Sequence, residues 1–190
     1  MFSPEADIFF EPPNARPNQK GTFGVLHLLR KDIYLCMGYD PVNSQKTSHS
    51  TLWPGAMAVL AGIDLLAKFF AGSDQSGQVG PRFRAFIHKY FTPISQGDED
   101  VLYQLRNALL HSFGLYSNNK GKEYFFLLSM NPATPLIKQA QQERYIVDLY
   151  KLHEAFEKAV KAYQTEIDSD KNLQTKFLSM FPHYGAIEIG

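Results

Sequence analysis

Arg106, Asn107 and His111 fall within one six-residue stretch, Arg106-Asn107-Ala108-Leu109-Leu110-His111, and their types can do chemistry together. An imidazole titrates near neutrality, so His111 can take or give a proton. A guanidinium presents a planar fork of donors that suits the oxygens of a crowded phosphorus. An amide next to them can orient the imidazole or hydrogen-bond an oxyanion. Tyr103, one turn before Asn107, has a ring that could stack a base, and it is equally suited to plain packing.

The element that must position them is an amphipathic helix over Asp98–Phe113. Leu102, Leu105, Leu109 and Phe113 form its apolar stripe, and Asp98, Glu99 and Asp100 load the first turn with the charge a helix dipole prefers. Arg106 falls within about 40° of the centre of that stripe. A guanidinium cannot shed its proton, so burial without a partner would cost several kcal/mol. Asp64, the acid inside the most apolar stretch of the chain, is the candidate partner. Asn107 and His111, spaced i, i+4, are neighbours on the flank of the same helix.

Around it the expected fold is mainly α: a bundle of four to five helices, with a small β-hairpin or three-strand appendage between the last two long helices. Residues 1–20, with four prolines, read as an extended N-terminal arm whose Ile8-Phe9-Phe10 patch docks on the body or on a partner. Residues 21–190 form a single domain, with the β appendage at about 114–147. Helices are expected over Thr22–Met37, from Ser50 or Thr51 to Ala71 with Gly72 as its stop, and over Pro81–Phe91. The Gly/Ser/Gln-rich stretch 72–80 reads as a mobile loop. Strand, turn and strand follow Gly114, and Tyr145–Val147 supply a third strand. Asp148 caps a long helix with Leu152, Phe156, Val160 and Tyr163 on one stripe, and a last helix is stopped by Pro182.

Composition narrows the function classes. The chain has 190 residues, 44% hydrophobic, enough for a proper core. Its 19 basic and 19 acidic residues balance, which argues against broad electrostatic capture of a duplex but leaves room for a local basic pocket. One cysteine, Cys36, excludes an intrachain disulfide and a cysteine-based metal cluster. No His-x-x-x-His or His-Glu-x-x-His spacing, phosphate-binding Gly-rich loop or Gly-x-Ser-x-Gly elbow is present, so neither a metal nor a cofactor is expected. Leu52–Phe70 is long enough to span a bilayer, but Pro54, Asp64 and Lys68 interrupt it, the last two at i, i+4. The expectation is a buried helix of a cytoplasmic protein with no membrane segment and no signal peptide.

The Arg-Asn-x-x-x-His pattern near the end of a late helix resembles the HEPN superfamily, compact helical bundles of which many are ribonucleases with an Arg-polar-x-x-x-His signature. The match covers about Gln104–Ser112. The β appendage has no counterpart in the minimal family fold. Arg82 and His88 satisfy the bare spacing on the preceding helix but lack the adjacent polar residue. The resemblance implies metal-independent cleavage of RNA, whose 2′-hydroxyl is its own nucleophile, with Arg106 and His111 catalytic and Asn107 supporting.

Positions five apart on a helix diverge by about 140°. Arg106 and His111 are therefore not expected to converge within one protomer. The resemblance implies pairing of two motif helices across the axis of a homodimer, giving a composite Arg/His cleft. It also makes an antitoxin-like protein partner conceivable, as for toxins of this class. The alternative is a non-catalytic dimeric helical bundle serving as a binding or interaction module. A third reading is a structural bundle unrelated to that family, in which Arg106 is buried against Asp64 and His111, facing no cleft, answers the helix dipole.

Overall fold

The computed structural model describes residues 2–15, 21–47, 49–131 and 133–188. Seven helices and two small sheets are built from them, a mixed α/β architecture rather than a pure bundle with an appendage. The central helix is α3 (Leu52–Ala71), against which α2 (Val25–Cys36), α4 (Val79–Tyr90), α5 (Asp98–Ser112), α6 (Leu149–Ile167) and α7 (Lys171–Tyr184) all pack. Its small residues serve that packing. A Cβ at Gly62 would sit 2.7 Å from the Phe156 ring, so the neighbouring helix closes onto bare backbone. By length and composition α3 could cross a membrane, but nine of its residues, from Gly55 to Phe69, are buried inside the protein.

The expected extended arm is corrected. Pro4–Phe9 form helix α1, with Pro4 in the first turn and the Ser3 hydroxyl accepting from the Ala6 N–H at 3.3 Å. Phe9 and Phe10 are buried, Phe9 lying 4.4 Å from the Phe69 ring and 5.3 Å from that of Phe177. A capped turn that puts two phenylalanines in the core outweighs the extended bias of the prolines after it. Residues 1 and 16–20 lie outside the described set. After them, β1 (Thr22–Gly24) pairs antiparallel with β6 (Ala186–Glu188), tying the two ends of the domain together.

The β region is larger than expected and is built into the core. It is a four-stranded sheet in the order β2-β3-β5-β4: β2 (Tyr116–Asn119), β3 (Lys122–Ser129), β5 (Arg144–Asp148) and β4 (Ile137–Gln141). β3 and β5 are parallel; the other pairs are antiparallel. The β2–β3 turn is Lys120-Gly121, both at positive φ, the conformation a two-residue hairpin demands. Tyr124, Phe126 and Tyr145 face inward, while Phe125 and Leu127 alternate outward. Asp148 ends β5 and caps α6, its Oδ1 accepting from the Lys151 N–H and its Oδ2 from that of Asn131.

Three smaller expectations also change. Lys68 pairs with Asp74 at 3.0 Å rather than with Asp64. Asp74 also holds Arg82 at 2.6 Å and the Tyr184 hydroxyl at 2.7 Å, so the 72–80 loop is pinned at one acid. Burial pushes the Asp74 carboxyl up, but these donors and cations more than offset it and hold the carboxyl below its ordinary value. Lastly, α7 continues through Pro182, which lies in its final turn.

Candidate functional site

Leu102, Leu105 and Leu109 of α5 are fully buried, as the stripe requires. Phe113 is not: the helix ends one residue earlier, and Phe113 sits at the cap with φ +48, 71% exposed. Arg106, only 8% exposed, runs beneath the surface toward α3. Its Nη2 donates to Asp64 Oδ2 at 2.6 Å, forming the ion pair the apolar surroundings require. Its Nη1 donates to Asn107 Oδ1 at 3.2 Å and to His111 Nε2.

Arg106 and His111 therefore meet within one chain, against the expected divergence. A wheel angle fixes where each Cα–Cβ bond points, not where a long side chain ends. Helical side chains lean toward the N-terminus, so His111 lies back over the turn that holds Arg106 and Asn107, and the long arginine side chain spans the rest. A guanidinium can only donate, so His111 Nε2 takes the acceptor's part in this pair.

Asn107 and His111 open onto a polar cleft of ≈ 630 Å³, whose walls include Arg84, Tyr103, Gln104 and Tyr116. His111 is exposed. Arg84, on α4, lies over the Tyr103 ring, 4.3 Å from its centroid, and is ion-paired with Asp100. The cleft thus has a second cation that the sequence reading did not single out. Tyr103 serves as its shelf. Gly80 leaves room for the arrangement, since a Cβ there would stand 2.7 Å from Arg84 Nη1 and 3.0 Å from the Tyr103 ring. The sheet forms the far wall, and the Ser117 hydroxyl ties it to the motif helix by donating to Gln104 Oε1 at 2.7 Å. The decoy residues stay apart from all this. Arg82 is buried against Asp74, and His88 is exposed on α4 without joining the cleft lining.

A larger groove of ≈ 830 Å³ lies between α6 and α2, with Phe10, Arg30, Tyr34, His153 and Glu157 among its walls. Size does not make it the better candidate, because it contains none of the motif residues Arg106, Asn107 and His111. Arg30 grips Glu157 by two hydrogen bonds, at 3.0 and 2.6 Å. Burial lowers the His153 pKa; the Glu157 carboxylate pulls it part of the way back and Arg30 lowers it further. The folded state therefore binds the His153 proton less readily than the unfolded chain does. The stability this confers is fully present above the ordinary histidine range and is lost as pH falls through the lowered value. Replacing His153 with glutamine should accordingly flatten the fall in melting temperature between about pH 7 and pH 5. An unchanged slope would show that other groups set it.

Among the described residues, no group of three or more His, Cys, Asp or Glu side chains is placed to hold a metal ion. The chain matches no family model, no curated protein and no solved structure.

Proposed function

We propose that this chain is a HEPN-like, metal-independent endoribonuclease whose Arg106, Asn107 and His111 act at the cleft of α5. The observation that carries this reading is the hydrogen-bonded chain from Asp64 through Arg106 to Asn107 and His111, ending at an exposed imidazole in a polar cleft. On this reading α3, α4, α5 and α6 are the helical bundle of that superfamily, and the two sheets are additions to it.

The chemistry follows from who can donate. At rest, Arg106 Nη1 occupies the lone pair of His111 Nε2. An incoming phosphate competes for that donor, because a charged acceptor makes the stronger hydrogen bond. Nε2 is then free to take the proton of the ribose 2′-hydroxyl. The 2′-oxygen attacks phosphorus, the bond to the 5′-oxygen breaks, and that oxygen leaves with a proton. The products are a 2′,3′-cyclic phosphate and a 5′-hydroxyl. Arg84, in the cleft wall, and Arg106, reached through His111 and Asn107, are the cations that would answer the growing phosphoryl charge. Asp64 holds Arg106 in place.

One chain therefore supplies base and brace. What a second copy adds, in a cytoplasmic homodimer paired through α5, is a second proton-transfer group for the leaving oxygen. A second reading has its own support, since the Arg106–Asp64 pair is what a purely structural arginine would also make. A non-catalytic dimeric module would keep the pair and leave His111 idle.

Cleavage of a mixed pool of RNAs in EDTA, by wild type and His111→Ala purified identically, decides between them. The expected result is cleavage by the wild type, reduced about 10²–10⁴-fold in the variant at an unchanged melting temperature. Equal cleavage by both, no cleavage by either, or loss of activity with EDTA would overturn the reading. Light scattering on the same samples should report a dimer.

A further inference from the structure

The outer face of the four-stranded sheet carries large apolar side chains that remain exposed among the described residues. Tyr116 is 43% exposed, Phe125 40% and Leu127 58%. The register places them together. Tyr116 is paired with Phe125, Phe125 with Arg144, Leu127 with Ile146, and Ile146 with Lys138, and residues paired across strands share a face. The Tyr116 and Phe125 rings lie 5.1 Å apart, and the Arg144 guanidinium is 6.0 Å from the Phe125 centroid. The Tyr116 hydroxyl donates to Glu123 Oε1 at 2.8 Å, which fixes the ring.

Two properties say what this face is for. The first is charge. In a chain with no net charge, this face carries Lys138 and Arg144, both exposed and in register with Ile146 and Phe125, against Glu123, whose carboxylate the Tyr116 hydroxyl holds. The second is continuity. Tyr116 belongs both to the sheet face and to the wall of the His111 cleft. Aromatic rings on a sheet, with cations among them and no competing cover, are the surface on which unpaired bases stack. A duplex hides its base faces and gains nothing from such rings.

We propose that this sheet face is a stacking platform for single-stranded RNA, which seats bases on Tyr116 and Phe125 and leads the strand into the cleft. The choice of occupant rests on the ribonuclease reading of that cleft. The platform selects unpaired over duplex RNA, and Arg144 and Lys138 meet the phosphates beside the stacked bases.

The test is fluorescence anisotropy of the full chain with a labelled 2′-O-methyl oligonucleotide of about twelve nucleotides, single-stranded or annealed to its complement. This probe lacks the nucleophilic hydroxyl and survives whether or not the chain is a nuclease. The same sequence as ordinary RNA is assayed for cleavage in parallel. The single strand should bind and the duplex bind much more weakly. Phe125→Ala should weaken single-strand binding about fivefold or more at an unchanged melting temperature, and Arg144→Ala should weaken it as well.

Wild-type cleavage with binding indifferent to Phe125 would overturn the platform and leave the nuclease standing. Phe125-dependent binding without cleavage would uphold the platform and remove the nuclease. Absence of binding would overturn the platform, as would duplex binding equal to single-strand binding. A dimer by light scattering that Phe125→Ala turns into monomer would also overturn it, by assigning the face to a second copy of the chain.

Discussion

Replacing Asp64 with alanine is expected to destabilise the protein by about 3–5 kcal/mol, measured by denaturant unfolding. The reason lies in what the substitution leaves behind. Arg106 cannot neutralise itself, its side chain is 10% exposed, and among the described residues Asp64 is its acidic partner, at 2.6 Å. Removing the carboxylate strands a cation between α3 and α5. Asp64→Ala would thus remove a large part of a typical domain's net stability, which is about 5–15 kcal/mol.

The partner experiment separates pairing from burial. In a chain carrying Asp64→Leu together with Arg106→Met, both charges are gone and the volumes are roughly kept. Most of the lost stability should return, because a buried ion pair is worth little more than a well-packed apolar pair. Activity should not return. If Asp64→Ala melts within about 0.5 kcal/mol of wild type, solvent is screening the pair and the guanidinium is not under the constraint argued above.

How far the sequence alone reaches depends on whether a feature is local. α3, α5 and α6 follow their apolar stripes to within a few residues, because period and caps are short-range information. Gly72 ends α3 in the left-handed conformation, and Asp148 caps α6, for the same reason. What stayed hidden depends on distant neighbours. β1 and β6 are three residues each and exist because opposite ends of the chain meet. β4 reads Ile-Lys-Gln-Ala-Gln, with no alternation to mark it, and is a strand because β5 lies beside it.

The site divides in the same way. That Arg106 points inward is a property of one helix, and Asp64 could be named because it interrupts an apolar run. That Arg84 and Tyr103 share a cleft with His111 is tertiary. So is the seat of the sheet against the motif helix, which turns an apparent appendage into a wall of the site. The meeting of Arg106 with His111 escaped a wheel argument because a wheel places Cβ atoms and not the ends of long side chains.

Arg106→Lys is expected to lower RNA cleavage about 10²–10³-fold while costing far less stability than Asp64→Ala. The two outcomes part because of how the guanidinium's donors are divided. Nη2 serves Asp64, while Nη1 serves Asn107 and His111 and is the donor a phosphate would recruit. An ammonium keeps the charge at one point. At that site it can answer Asp64, which preserves the fold, but it has no rigid second arm to hold toward the imidazole and the phosphate. A purely structural arginine would behave differently. Substitution by lysine would then alter stability in proportion to the weakened pair, and any RNA cleavage in the sample would not track it. Measuring cleavage rate and unfolding free energy on the same preparation therefore shows whether Arg106 reaches the reaction or only the carboxylate beneath it. Equal cleavage by Arg106→Lys and wild type, with the fold intact, would take Arg106 out of the chemistry and leave it as the partner of Asp64.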